Sequence, residues 1–464
     1  MTLDNLSGDE SLSWMREAVP VAATAQLAGV ARVRASHVES SREASILAPN
    51  TLIHGYFDRR RGALHFEFSI EDADTHKMRS LALDGDALHA SAAIAKAMDA
   101  GAKEFSTQNA AAMEAWGRRD FEKATQLDPD FGAAWRDLIQ SNVGQPEQAV
   151  QFASNALSKL GLRSPLEKAQ IGLLAAQLRH DDAAVSQASL ELVRLVPNDV
   201  ELARKLAESE SNARHFAPAV TLYQSVLRLA PDDFSVYNAL GYAQFFAGNL
   251  AAARASFDEY AKHPGQDANG LDSQGEVLFM AGQFAEAEKY FQRAHQANPQ
   301  MLDGADLQKA AYAHWLSGDL AGADKIFESY LQYRSQRADQ TVNWRLAGWE
   351  YATGREVQAM ERLASESGPA AGMAKAQLQV LKGRSTMFAG LAGEIGNLEQ
   401  NYRRTPSASD GFARVVYAKA LVMTGRKAEA EKLLVLWPLP ESGEPAVQPL
   451  LYPLYLELKK ELGK

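Results

Sequence analysis

Five Gly-x-x-x-x-Ala steps mark the second half of this sequence: Gly248/Ala253, Gly282/Ala287, Gly318/Ala323, Gly354/Ala359 and Gly425/Ala430. Their glycines stand 34, 36, 36 and 71 residues apart, the last interval being about two steps of the same period. A period of this length means that one supersecondary unit recurs and stacks on its neighbours. Stacked units make long binding surfaces rather than a single catalytic pocket. Seven residues before each Gly stands a small residue: Gly241, Gly275, Ala311, Ala347 and Ala418. Nine residues after it stands a bulky apolar one: Phe257, Phe291, Phe327, Leu363 and Leu434. An earlier unit keeps this spacing with Arg214 at the Gly position, flanked by Ala207, Ala219 and Tyr223. Two antiparallel helices that cross closely need this pattern, because small residues let the backbones approach and the large one fills the groove beside them. The Gly supplies the left-handed residue that ends the first helix. Pro197, Pro231 and Pro299 then stop the second.

These residues resemble the tetratricopeptide repeat family. Leu271 to Pro299 matches best, with Gly275, Leu278, Gly282, Ala287, Phe291, Ala294 and Pro299 in the family's spacing. Tyr237, Leu240, Gly241, Gly248, Ala253 and Phe257 give a second good unit, and Phe121, Ala124 and Pro129 match the end of another. Ser164-Pro165 opens a helical pair that closes on Pro197. Segment 370–404 is degenerate, with Gly383 out of phase. The resemblance covers roughly 105–438 and is most specific over 233–335. It implies a mainly α fold, a right-handed α-solenoid of about nine or ten helical hairpins. A last amphipathic helix at 449–464, with Leu450, Leu451, Leu454, Tyr455 and Leu458, is expected to cap it; Pro453 fits there only in the first turn.

Before the repeats the period changes. Residues 10–28 read as a helix carrying Trp14, Met15, Val19 and Leu27, and Val30 to Val33 as a short strand. Residues 51–57 and 63–71 alternate around Arg59-Arg60-Arg61-Gly62, the pattern of a hairpin. Leu64, Phe66, Phe68 and Ile70 share its buried face, with His65, Glu67 and Ser69 opposite. His54 and His65 are expected to form a cross-strand polar pair. A strand near 77–83 and a helix near 85–100 complete a small α/β domain with a sheet of three or four strands. Leu52-Ile53-His54-Gly55, the hairpin and Ile70-Glu71-Asp72-Ala73-Asp74-Thr75 resemble the TolB amino-terminal type of domain found in bacterial regulators. That family begins with a buried strand, and nothing before Leu12 reads as one; either the strand is lost or the chain is a fragment. The domains expected are therefore 1–103 (α/β), 104–448 (solenoid) and 449–464 (capping helix).

Composition narrows the function. The formal charge of −10 over 464 residues argues against a dedicated nucleic-acid binder. The absence of cysteine removes disulfides, thiolate metal sites and cysteine nucleophiles. Met1 to Glu10 is polar and acidic, unlike a secretory signal, and Ala18 to Ala31 is too short an uncharged run to span a bilayer. A cytoplasmic location is the default, an extracytoplasmic one following if the chain belongs to a membrane-anchored regulator.

No P-loop, His-Glu-x-x-His or Gly-x-Ser-x-Gly motif occurs. Gly390, Gly393 and Gly396 lack the dinucleotide spacing, and His180-Asp181-Asp182 reads as a turn with an acidic helix start. No catalytic residue, cofactor or metal is expected.

An aromatic stands three residues before each of four ladder glycines: Phe245, Phe279, Trp315 and Tyr351. Tyr242, Phe246, Met280, Tyr312 and Trp344 lie on or beside the same face. The resemblance implies that this face lines the concave side, where aromatics either anchor a partner peptide or helix or pack between repeats. Asn238 alone matches the clamp that some relatives use for a terminal carboxylate; Asp272 and Gln308 occupy the equivalent places afterwards. The expected function is a non-enzymatic scaffold that binds another protein. The alternative is the regulatory part of a bacterial signalling protein, a kinase, nucleotide cyclase or transcriptional regulator whose catalytic or DNA-binding domain lies outside these residues.

Overall fold

A computed structural model describes residues 2–30, 33–38, 49–158, 164–404, 411–440 and 447–463. They belong to two compact units, Met1–Leu206 and Ala207–Lys464. Ala31 and Arg32, inside the strand expected at Val30–Val33, lie outside the described residues.

The first unit opens with a sheet in the order β1 (Thr2–Asn5), β2 (Thr51–Arg60), β3 (Ala63–Asp72), β4 (Met78–Asp84). Arg60 pairs with Ala63, leaving a two-residue turn in which Arg61 and Gly62 have φ of 53° and 89°. Positive φ at both positions gives the turn whose twist matches that of the flanking strands. Phe57, Phe66, Phe68 and Ile70 are buried. The first three share a core with α1 (Met15–Leu27) and α2 (Ala87–Met98), the latter capped by Asp86.

Two expectations are corrected here. The first strand is present: β1 runs parallel to β2, with Leu3 opposite Gly55. Only Leu3 of its four residues is an apolar side chain in the core, so ladder hydrogen bonds rather than a hydrophobic alternation hold it. His54 and His65 do not face each other: His54 lies opposite Ser69, and His65 lies opposite Asp58 and bonds Asp84 at 2.7 Å.

The same core continues into α3 (Ala110–Gly117), α4 (Phe121–Leu127) and α5 (Gly132–Ser141) through the rings of Phe105, Trp116 and Phe131, 5.5–5.7 Å apart. Next come α6 (Pro146–Ser158), α7 (Pro165–Leu178) and α8 (Asp182–Leu195), the last two forming the pair expected between Ser164 and Pro197. The boundary between the units falls in α9 (Val200–Asn212).

The second unit is an array of helical hairpins. Its helices are α10 (Phe216–Leu229), α11 (Phe234–Phe246) and α12 (Leu250–Ala261), α13 (Asp267–Met280) and α14 (Phe284–Ala297), α15 (Ala305–Leu316) and α16 (Leu320–Gln336), α17 (Val342–Ala352) and α18 (Glu356–Ser365). The degenerate stretch gives α19 (Ala371–Lys382), α20 (Arg384–Ala389) and α21 (Ile395–Arg404), and the regular pattern returns in α22 (Gly411–Met423) and α23 (Lys427–Leu433), followed by α24 (Leu451–Glu461).

All five ladder glycines have φ between 77° and 111°, and Arg214 takes the same conformation at 64°. The small-residue rule has a direct steric cause. A Cβ on Gly241 would lie 2.5 Å from the Phe257 ring, and one on Gly275 would lie 2.6 Å from Phe291. Gly383, by contrast, has φ −86° and ends no repeat. Among the described residues no helix is long and apolar enough to cross a membrane.

Candidate partner-binding groove

Because Gly241, Gly275, Ala311 and Ala347 turn toward the second helices, residues three earlier, one later and four later along each first helix share another face. On α11, α13 and α15 its polar members bond to one another and to Ser273 and Lys309, which stand two residues before Gly275 and Ala311. The Tyr242 hydroxyl donates to Glu276 at 2.6 Å, and Ser273 donates to Asn238 at 3.0 Å. Lys309 donates to both Asp272 oxygens at 2.8 Å and to Glu276 at 2.6 Å. Three helices are thus joined by one chain of charge-assisted hydrogen bonds.

Burial pulls the Lys309 ammonium down, yet the Asp272 and Glu276 carboxylates outweigh it and hold the group well above its ordinary value. Burial and then Asp272 raise Glu276, against the pull of Lys309. Burial, followed by Glu276 and Asp272, raises Tyr242.

Asp306, on the first turn of α15, is fully buried, and no donor reaches either carboxyl oxygen. Burial and the Asp272 carboxylate push its pKa up to about 8. At neutral pH it is therefore a neutral acid whose own proton faces Asp272. A carboxyl raised this far favours folding below its unfolded value near 3.8, and that contribution is lost as pH rises toward 8. Asp306→Asn keeps a donor for Asp272 but cannot ionise. The stability of this variant relative to the native protein is expected to climb by more than about 1 kcal/mol between pH 5 and pH 9. Urea titrations at several pH values measure this, and a flat difference would place Asp306 outside the network.

The aromatic part of the face is filled by the chain itself. Phe245, Phe279, Met280, Tyr312, Trp344 and Tyr351 are buried, while Asn238, Tyr242, Phe246 and Trp315 are half-buried. Phe246 stacks on Phe216 at 5.0 Å and meets Phe245 edge-on. Phe279 meets Phe284 edge-on at 5.2 Å. The C-terminal segment lies against these residues. The Trp437 backbone N–H donates to the Met280 carbonyl at 2.9 Å, and its ring meets Phe284 edge-on at 4.9 Å. Tyr452 stacks on Tyr312 at 4.9 Å and meets Trp315 edge-on at 5.7 Å.

The expected C-terminal helix therefore forms as α24, with Pro453 in its first turn, and packs on the first helices α15 and α17 as well as on α22. Asp272 was singled out from sequence as a departure from a basic clamp. Glu276, Asp306 and Lys309 were not, although Asp272 and Glu276 at i and i+4 on one helix were a readable signal.

A family model described as tetratricopeptide repeat matches residues 268–301, which run from the second residue of α13 to just past α14. Over these residues the chain is similar to that repeat family. No curated protein matches the sequence. Solved structures that resemble the chain include that of MamA, 18% identical with a TM-score of 0.30, covering 38% of this chain and 94% of that one. Naa15/Naa10 bound to HypK-THB is 14% identical with a TM-score of 0.30, covering 76% and 64%. The P58(IPK) TPR domain is 14% identical with a TM-score of 0.21, covering 75% and 94%. At these scores none of their partners carries over.

Proposed function

We propose that the chain is a protein-interaction scaffold whose second unit receives a cationic segment of its partner. The repeats give the class of activity, because such arrays serve as extended docking surfaces. The observation that carries the finer reading is the polar network on α11, α13 and α15. It holds the carboxyl groups of Asp272, Glu276 and Asp306 against the single ammonium of Lys309. A lysine or arginine side chain seated beside Glu276 and Tyr242 would balance the remaining negative charge, with Asn238 offering an amide and Phe246 an apolar wall. The aromatic stripe of Phe245, Phe279, Met280, Tyr312, Trp315, Trp344 and Tyr351 then serves as the floor that positions these groups. The front domain, with β1 preceding α1 and the hairpin, supports the likeness to the TolB amino-terminal type and is read as a second contact or sensing module.

Fluorescence anisotropy of short labelled peptides against the full chain tests the reading. Lys/Arg-rich peptides are expected to bind and Asp/Glu-rich ones not to. Asn238→Ala combined with Tyr242→Phe should weaken binding about tenfold, or about 1.4 kcal/mol, without changing the circular dichroism spectrum. Equal binding of both peptide classes, or of neither, would refute it.

A further inference from the structure

A second polar site lies in the same unit, apart from the carboxylate network. Four unpaired groups belong to residues that line one cavity of about 30 Å³: Gln308 Oε1 on α15, Trp344 Nε1 on α17, Gln377 Oε1 on α19 and Gln448 Oε1 just before α24. Each of these residues is more than nine-tenths buried, at 7%, 4%, 2% and 8% exposure. Leaving one buried polar group without a partner is costly, and leaving four around one space is not how a dry interior is built. The rest of the wall includes Tyr312, Phe327, Trp349 and Pro449. Arg345, which also reaches it, is already bonded to Asp339 at 3.0 Å and to the Tyr330 hydroxyl at 2.9 Å. The space exists partly because residue 348 is glycine: a Cβ there would approach Pro449 Cγ to 3.4 Å and Gln377 Nε2 to 3.7 Å.

The chemistry of the lining selects its occupant. Its unpaired buried atoms are one donor, the indole N–H, and three acceptors, the amide oxygens. A bare cation satisfies the acceptors and strands the indole. An anion does the reverse. The volume holds about two water molecules, and two waters match the lining group for group. One accepts from Trp344 and donates to its neighbour; the three remaining O–H bonds go to Gln308, Gln377 and Gln448. We propose that this cavity is a binding site for a pair of ordered waters, which join the C-terminal segment at Gln448 to the three helices α15, α17 and α19.

A crystal structure of the full chain, at a resolution that orders solvent, should place two water peaks within hydrogen-bond distance of these four atoms. Oxygen-17 relaxation dispersion counts long-lived internal waters in solution. The count is expected to fall by the pair in a Trp344→Phe, Gln377→Leu variant. Trp344→Phe alone, which deletes one N–H and keeps an aromatic ring, serves as a mild control that retains the fold by circular dichroism. An empty cavity, density too large or too strongly scattering for two waters, or an unchanged count in a folded variant would each overturn the proposal.

Discussion

Replacing Lys309 by methionine is expected to lower the stability of the 207–464 unit by about 3–5 kcal/mol, the range for removing one partner of a buried ion pair. Methionine keeps most of the side-chain volume, so the loss is electrostatic rather than a cavity effect. With the ammonium gone, Asp272 and Glu276 face each other and the neutral Asp306 acid with no compensating charge.

The pH dependence gives the prediction its signature. Glu276 and Asp306 already stand above their ordinary values in the native protein, so their contribution is full in acid and declines as pH rises, for Asp306 toward about 8. Without Lys309 both carboxyls rise further, and the variant's stability should fall more steeply between pH 4 and pH 8 than the native protein's. Near pH 4, where the carboxyls are protonated, the gap should narrow. Urea unfolding at pH 4, 6 and 8 tests this. A loss under about 1 kcal/mol at pH 7, the size typical of a solvated pair, would mean that water screens the network.

How far the sequence revealed these features depended on the range of the interactions involved. The hairpins around Gly248, Gly282, Gly318 and Gly354 were legible because their rules are local: a left-handed residue, a small residue seven before it and a bulky apolar side chain nine after it. Even Arg214, at φ 64°, obeys the first of these rules. β1 was missed because four residues carry too little alternation to register, and its position depends on a partner strand about fifty residues away. The aromatic stripe was read from the sequence as a shared face, whereas its covering by the C-terminal segment was not read at all. Trp437 reaches Met280, and Tyr452 reaches Tyr312, across more than a hundred residues of chain. No periodicity encodes such a contact. The carboxylate network stood between these extremes: its charges are visible in the sequence, and only the stacking of α11, α13 and α15 shows that one lysine serves two carboxylates while a third carboxyl stays neutral.

Tyr452→Ala is the other substitution expected to have a large effect, a loss of about 3–5 kcal/mol, as for other fully buried aromatic truncations. The ring is 1% exposed, stacks on Tyr312 and meets Trp315 edge-on, while its hydroxyl donates to the Pro438 carbonyl at 2.9 Å. Tyr452→Phe separates the two contributions. It keeps the rings and strands one carbonyl, so its cost should be about 1–2 kcal/mol. The pair of variants also decides what the C-terminal segment does. Leu450, Leu451, Leu454, Tyr455 and Leu458 share its buried face at 0–1% exposure. If these residues and Tyr452 act as one cooperative piece of the unit, Tyr452→Ala lowers the midpoint of a single unfolding transition, with hydrogen exchange accelerated throughout the unit. If the segment is an independently detachable cover, exchange accelerates only over residues 434–440 and 447–461, and an environment-sensitive dye lights up on the uncovered Phe279, Tyr312 and Trp315 while α11 to α16 stay protected. The extent of its apolar burial favours the first result: a segment whose inner face is sealed this completely belongs to the hydrophobic core, and separating it would expose both surfaces to water at once.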